Sequence, residues 1–338
     1  MPMRSKNHNT TIWVGWLISI LFVCWAVIKM DFGEVWGALS VADYTWIIPA
    51  AIINLAILIL RGVRWREFII PTKKITRKSA VSALCIGFMA NMVLPARLGE
   101  LVRAYILAKR ENIAKSTSLG TVVIERAFDG LSVVVMVALI FLFASPPGES
   151  EFWSNLKLAG LSASFFFIAF FVGMLSFYKQ VRIVVWVIDF MLRLLPDKNS
   201  TKLTKILGSF RQGFDSLNYG HHLRNVILWS FVIWGLAGPY NYFFFLAFGQ
   251  ELPFSACFVV LMVQMFGVMI PSGPGFIGVY HAATIAGLMF YGVDAELALS
   301  MALVIHVVMF VMQTIPGLLF LWLEQYSFRD IAQAADQQ

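Results

Sequence analysis

The chain has 338 residues, of which 59% are hydrophobic and only 13% are charged, and its formal net charge is +7. Soluble domains carry roughly 25% charged residues, and the mean hydropathy here is +0.77, so the composition excludes a soluble fold for most of the sequence. The Lys and Arg residues are grouped in a few loops between apolar runs, a pattern that sets membrane orientation and argues against nucleic-acid binding.

Six apolar runs are long enough to cross a bilayer, which takes about 20 residues. They lie at 12–30, 45–66, 117–143, 154–178, 223–249 and 297–323. The first run lacks a clear small-residue cleavage site, so we expect a retained helix and not a signal peptide. The three cysteines, Cys24, Cys85 and Cys257, lie in apolar segments, and their spacing suits neither a metal site nor a disulfide framework.

Two further apolar regions, 79–109 and 254–291, are interrupted by Pro and Gly, which end helices. The predicted breaks are Pro95 and Gly99 in the first region and Pro271, Gly273, Pro274 and Gly275 in the second. Broken backbone at membrane depth is tolerated only inside protein or against water. Each region is therefore a candidate for a helical hairpin.

The distribution of Lys and Arg predicts how these regions are oriented. The loop 64–78, counted with Arg64 and Arg66, and the segment 109–115 are both basic, so both flanks of 79–109 should be cytoplasmic. That region would then enter and leave from one side as a re-entrant hairpin with Pro95 near its tip. The flanks of 254–291 and the loop 145–151 carry no Lys or Arg, so we expect them to be external.

Both termini then lie in the cytoplasm of a multi-pass protein of the cell membrane. The connection 179–224 carries eight Lys or Arg residues and should be cytoplasmic. Its stretch 181–195 has the pattern of an amphipathic helix on the membrane surface. His221 and His222 read as a solvated loop pair without a third metal ligand.

The two interrupted regions resemble each other. Pro95-x-x-x-Gly99 aligns with Pro271-x-x-x-Gly275, and Arg126 then falls opposite His306 in the helix that follows. With opposite predicted orientations, this is an inverted-topology repeat, the architecture of many transporters.

We therefore predict an all-α polytopic membrane protein with six full spans and two re-entrant helical hairpins. A single membrane domain would cover 1–338, with repeat 1 at about 45–143 and repeat 2 at about 223–323. Residues 144–222 would join them, including a basic cytoplasmic segment at 179–222.

Ionisable residues inside a membrane are costly, so each is a functional candidate. At about 1.5 Å per residue, Arg126 and His306 each lie roughly 13 Å into their spans, near the bilayer midplane. The helix start at each hairpin tip and the nearby arginines would form an anion site suited to phosphate or carboxylate. The candidate substrate-binding residues are Arg97, Glu100, Arg103, Glu125, Arg126, Asp129, Tyr280, His281 and His306.

A purely structural role is the alternative. Glu100 with Arg103, and Arg126 with Asp129, stand three apart on a helix and can pair with each other. His306 can be a packed, hydrogen-bonded histidine, and the same alternative holds for Tyr280 and His281. We expect Asn91 and Gln264 to form hydrogen bonds between helices.

The sequence NMVLPARLGE at 91–100, followed by ERAFD at 125–129, resembles the first signature of the lysylphosphatidylglycerol synthase transmembrane (flippase-like) family. PSGPGFIG at 271–278 resembles its second signature, and the resemblance covers about 12–325. It implies lipid translocation in a bacterial or archaeal membrane, as in the flippase domain of multiple peptide resistance factor. Many members have Glu at the position of His281 and Arg at that of His306.

Aminoacyl transfer in that family belongs to a separate soluble C-terminal domain. We expect that domain to be absent, because the sequence ends at Gln338, shortly after the last predicted span.

The leading prediction is a transporter, and not an enzyme, that moves an anionic lipid between leaflets without a cofactor or metal. Its partner would be a membrane lipid with a phosphate-bearing headgroup. One alternative is an intramembrane enzyme acting on a lipid phosphate, with Glu100, Glu125 and Arg126 as acid, base and phosphate clamp. Another is a non-catalytic partner that recruits a lipid-modifying enzyme. The sequence leaves open the lipid, the direction, the energy source and the oligomeric state.

Overall fold

A computed structural model describes residues 30–94, 98–144, 150–194, 196–270 and 272–326. Within these ranges the chain forms α-helices and short 3-10 helices and no strands, which confirms the all-α prediction. The helices are α1 Phe32–Val41, α2 Ile47–Ile69, α3 Arg77–Val93, α4 Gly99–Glu111, α5 Lys115–Phe143, α6 Glu151–Tyr178, α7 Arg182–Arg193, α8 Asp197–Gln212, α9 Gly220–Ala247, α10 Phe254–Met269, α11 Val279–Met289 and α12 Ala295–Leu323.

Four of the described helices are long and apolar enough to cross a membrane: the segment Tyr44–Ile69 that contains α2, and α5, α6 and α12. They match four of the six predicted spans. Helix α9 has 28 residues, but Pro239 and Asn241 interrupt its apolar sequence. The first predicted span, 12–30, lies outside the described residues except for Met30, so the number of six spans stays a prediction.

Both interrupted regions fold as pairs of short antiparallel helices. In the first pair, α3 and α4, the Asn91 side-chain oxygen accepts a hydrogen bond from the Gly99 backbone N–H at 2.8 Å. In the second pair, α10 and α11, Gln264 Nε2 donates to Thr284 Oγ1 at 3.2 Å. The four helices have 17, 13, 16 and 11 residues, fewer than the about 20 that a full span requires.

The described residues of the predicted breaks lie at the start of α4 and between α10 and α11. Gly99 begins α4, and a 3-10 turn at Pro274–Phe276 separates α10 from α11. Gly275 has φ +67° and Gly278 has φ +92°, a region that residues with a Cβ rarely adopt. Pro95, Arg97 and Pro271 lie outside the described residues.

The first helix pair packs against the last long helix of the chain. Gly317 of α12 lies against the Cys85 carbonyl oxygen and the Met89 side chain of α3. Close to the break in the second pair, Gly275 approaches the carbonyl oxygen of Met92 at the end of α3. Helix α3 therefore packs against elements from the C-terminal third of the sequence. Cys85 and Cys257 are buried in the core.

The basic connection contains the predicted helix, α7, and a further helix, α8. No α7 residue is buried, and its Ile183, Trp186 and Phe190 are exposed, so its apolar side is available to a membrane surface. Helix α8 packs on the start of α5, where Thr117 Oγ1 donates to the Ser209 carbonyl at 2.8 Å.

The prediction that His221 and His222 form a solvated pair was wrong for His222. Its side chain is buried, with Nδ1 2.8 Å from Glu67 Oε2. The cause is the start of α9 at Gly220, which carries His222 onto the end of α2. His221 is exposed, as predicted.

We predict that Gly99→Ala destabilises the protein. An added Cβ would overlap the Gly87 carbonyl oxygen and the Asn91 side chain, and overpacking of this kind costs about 1–3 kcal/mol. Gly173→Ala in α6 is the matched control, because its Cβ would meet no atom within 4 Å. Size-exclusion chromatography after heating in detergent should give a lower midpoint for Gly99→Ala alone. Equal midpoints for the two variants would contradict the close packing of α3 and α4.

Candidate functional site

A cluster of charged side chains lies where α2, α4 and α5 meet. Helix α5 contributes Glu125 and Asp129, four residues apart and therefore on one helical face. Arg64 of α2 reaches both carboxylates, and Arg103 of α4 reaches Glu125. The local reason is the helical repeat, since a spacing of three or four residues brings side chains together.

Arg64 lies at the centre of the cluster and its side chain is fully buried. Its Nη2 donates to Glu125 Oε1 at 3.0 Å and to Asp129 Oδ1 at 2.7 Å. Its Nη1 donates to Ser230 Oγ of α9 at 3.0 Å. One guanidinium group thus joins three helices.

Arg103 binds the remaining oxygen of Glu125. Its Nη1 donates to Glu125 Oε2 at 2.5 Å, its Nη2 pairs with Glu100, and its guanidinium lies over the Trp65 ring at 4.8 Å. Both carboxylate oxygens of Glu125 therefore accept from arginines, a strong arrangement because both partners are charged.

Arg126 is held more loosely than Arg64 and Arg103. Its side chain is 37% exposed, and its ion-pair distances are 3.4 Å to Asp129, 3.6 Å to Glu125 and 3.8 Å to Glu100. Its Nε and Nη2 make no hydrogen bond to any described residue. These nitrogens are donors without an acceptor in the described part of the chain.

The cluster carries more positive than negative charge. Arg61 of α2 completes it, with Nη1 3.4 Å from Asp129 Oδ2 and its guanidinium 5.4 Å from the centre of the Trp234 ring. Among the described residues, the four arginines at 61, 64, 103 and 126 face the three carboxylates at 100, 125 and 129. One positive charge is left uncompensated by these pairs. Because unpaired charge is costly inside a membrane protein, this arrangement favours a bound anion.

The structure brings together the predicted residues Glu100, Arg103, Glu125, Arg126 and Asp129. It contains the expected Glu100–Arg103 and Arg126–Asp129 pairs, but Asp129 makes its shortest ion pair with Arg64. Arg97 lies outside the described residues.

Sequence reasoning missed Arg61 and Arg64. Arg64 was counted in a cytoplasmic loop, which was wrong, because α2 continues to Ile69 and Arg64 is buried within it. The sequence contains one signal for them. Arg61 and Arg64 are three residues apart at the end of an apolar run, and this spacing puts both on one helical face.

Tyr280, His281 and His306 form a second cluster beside the break between α10 and α11. The His306 ring centre is 5.4 Å from that of Tyr280 and 4.6 Å from that of His281. His306 Nε2 lies 2.7 Å from the Gly275 carbonyl oxygen, and His281 Nδ1 accepts from the Gly278 N–H at 3.3 Å. Both rings thus bind the backbone of the break, which is the structural alternative considered from the sequence. A role in substrate binding stays a prediction.

Comparison with known proteins identifies the family of this chain. A family model described as the lysylphosphatidylglycerol synthase TM region matches residues 12–317. The chain belongs to this family. Together with the four apolar helices, this membership makes it a multi-pass membrane protein.

The relatives include archaeal membrane proteins of similar length. A UPF0104 membrane protein of Pyrococcus horikoshii is 25% identical over 319 residues, covering 90% of this chain and 93% of that protein. Another, from Methanothermobacter thermautotrophicus, is 26% identical over 325 residues, covering 89% and 92%. The glycosyltransferase AglD of Haloferax volcanii is 27% identical over 157 residues, which is 46% of this chain and 25% of that enzyme. No solved structure matches the chain significantly.

We predict that Arg64→Gln destabilises the protein more than any change at an exposed arginine. Removing one partner of a buried ion pair typically costs about 3–5 kcal/mol, and here two carboxylates lose their shared donor. Arg224→Gln, at an exposed position of α9, is the control, with an expected effect below about 1 kcal/mol. Thermal unfolding in detergent compares the variants. A wild-type midpoint for Arg64→Gln would rule out the central role of Arg64.

Proposed function

We propose that this protein moves an anionic, phosphate-bearing lipid between the two leaflets of the membrane. The observation that carries the proposal is the excess positive charge of the buried cluster, in which four arginines face three carboxylates. A phosphate supplies the missing negative charge and several acceptor oxygens, which suit the planar guanidinium group.

Arg126 is the proposed contact to the headgroup. It is the most exposed arginine of the cluster, and its ion pairs are long, at 3.4–3.8 Å. The terminal nitrogens of Arg64 and Arg103 already donate to carboxylates or to Ser230, and these two arginines would hold the site in shape.

The two short helix pairs support a re-entrant, inverted-repeat architecture. Each pair is followed by a helix of 29 residues, α5 or α12. Arg126 and His306 stand at the same position of these helices, eleven residues after the first. Repeats of this kind bind substrate near the midplane, between interrupted helices.

The second candidate function is that of an intramembrane enzyme. The partial match to a protein named as a glycosyltransferase is the observation that favours it. The geometry argues against Glu125 as its acid or base. Both carboxylate oxygens already accept hydrogen bonds from Arg64 and Arg103, and the side chain is fully buried, so a substrate has no access to it in this conformation. Incubation of the purified protein with lipid phosphates, followed by mass spectrometry of the lipids, tests for turnover.

We predict that Arg126→Gln abolishes lipid movement while the protein still folds. Asp129 keeps Arg64 and Arg61 as partners, so loss of Arg126 strands no carboxylate. Arg126→Lys should restore only part of the activity, because a lysine offers a point charge and no planar fork. The assay follows a fluorescent phosphatidate in liposomes that contain this protein alone, with dithionite quenching of the outer leaflet.

Arg224→Gln is the matched control and should transport as the wild type does. Full activity of the double variant Arg126→Gln with Asp129→Asn would exclude Arg126 from headgroup binding. Movement only after addition of a second protein would favour the alternative of a recruiting partner.

We also predict the orientation of the helix pairs. Cysteines introduced at Lys73 and Lys115 should react from the cytoplasmic side, and a cysteine at Asp294 from outside, because loops rich in Lys and Arg stay in the cytoplasm. The test uses a membrane-impermeant maleimide on cells and on inverted vesicles, in a variant without Cys24, Cys85 and Cys257. External labelling at position 115 would disprove the re-entrant orientation of α3 and α4.

A further inference from the structure

An apolar groove runs along the outside of the charged cluster, between α5 and α9. Its volume is about 870 Å³, and residues of α6 and α10 complete its walls. On α5 the lining residues recur every fourth position, at Leu131, Val135 and Leu139. On α9 they recur in the same way, at Leu223 and Ile227 and then Phe231, so two parallel apolar stripes face the groove.

The groove is long enough for an extended hydrocarbon chain. Along α5 it extends from Phe128 to Phe143, which is about 22 Å at 1.5 Å per residue. One end is polar, because Lys179 and Asn218 also line it. That end lies at the predicted cytoplasmic side of the membrane.

The groove meets the charged cluster midway along its length. Ser230 lines the groove and accepts a hydrogen bond from Arg64. Trp234 also lines it, and the guanidinium of Arg61 lies over the Trp234 ring. The indole Nε1 of Trp234 is buried and has no hydrogen-bond partner among the described residues.

We infer that the groove binds the hydrocarbon chain of the transported lipid while its headgroup contacts the charged cluster, which reaches the groove wall at Ser230 and Trp234, an inference that rests on the proposed function. A long apolar stripe beside one excess positive charge is complementary to an amphipathic anion. An apolar helix of a partner protein would cover the stripe but would leave the excess charge unmatched. A lipid with a phosphate headgroup satisfies the stripe and the charge together.

The test narrows the groove without touching the cluster. Gly235 lines the groove, and an added Cβ there meets no atom within 4 Å, so Gly235→Phe has room to enter the cavity. Gly173→Phe is the matched control, because its Cβ also meets nothing within 4 Å and it is not a lining residue of the groove. The probes are a long-chain phosphatidate with a diazirine in its chain, the corresponding diacylglycerol, and water-soluble dibutyryl phosphatidate.

In the wild type, the diazirine phosphatidate should label groove residues such as Leu131, Val135 and Phe231, mapped by mass spectrometry. Gly235→Phe should lower this labelling and the transport of the long-chain lipid about ten-fold or more, since the chain loses contact with several methylene groups. Its affinity for dibutyryl phosphatidate should match the wild type within about two-fold. Gly173→Phe should behave as the wild type in all three measurements.

Three outcomes would overturn the inference: labels that map outside the groove, equal loss in Gly173→Phe, or diacylglycerol labelling as strong as that of phosphatidate. The last would mean that bulk lipid alone fills the groove. Failure of the proposed function has a different signature, because liposomes that contain the wild type would then move phosphatidate no faster than protein-free liposomes, whatever the labels show. The mapping on the wild type does not depend on whether Gly235→Phe folds.

Discussion

The fully buried guanidinium of Arg64 is the interaction on which the other parts of the site depend. It binds Glu125 and Asp129 of α5 and Ser230 of α9 from its position on α2. Burying a charge is expensive unless good geometry and further hydrogen bonds satisfy it. Arg64 meets that condition with both terminal nitrogens, and the requirement constrains how three long helices can be arranged around it.

The same ion pairs fix the first helix pair. Because Arg64 binds one oxygen of Glu125, the other oxygen is left for Arg103, and Arg103 brings α4 against α5. Gly99 then lets the start of α4 lie close to Gly87 on α3. Charge pairing positions α4 against α5, and close glycine packing positions α4 against α3. The shape of the site follows from both.

The fold was more predictable from sequence than the site was. Proline and glycine end helices through local backbone chemistry, so the breaks near Gly99 and Gly275 could be predicted without knowledge of the packing. Intramembrane charge is rare, so Glu125 and Arg126 stood out in their apolar run. Arg64 did not, because a charge at the end of an apolar run has the same sequence pattern whether it belongs to a loop or to a buried helix.

His222 shows the same limit in a different way. It stands between His221 and Leu223, and the contact that accompanies its burial is with Glu67, 155 positions away. Pairings between distant segments depend on tertiary packing, which one sequence without homologues does not reveal. The excess of arginine over carboxylate could not be predicted for the same reason, since Arg61 and Arg64 enter the cluster only through the packing of α2 on α5.

Excess charge alone binds an anion, but transport requires a further condition. A ligand shifts a conformational equilibrium only by the difference between its affinities for the two states. Arg64 and Arg103 are tightly bound to carboxylates, so they have little freedom to bind a ligand differently in the two states. Arg126 has more freedom, because three carboxylates hold it at 3.4–3.8 Å. In the proposed function, a headgroup phosphate would compete with those carboxylates for Arg126. Because Glu100 lies on α4 and Asp129 on α5, that competition would loosen the first helix pair from α5. The second pair would respond through the contact of Gly275 with Met92 at the end of α3.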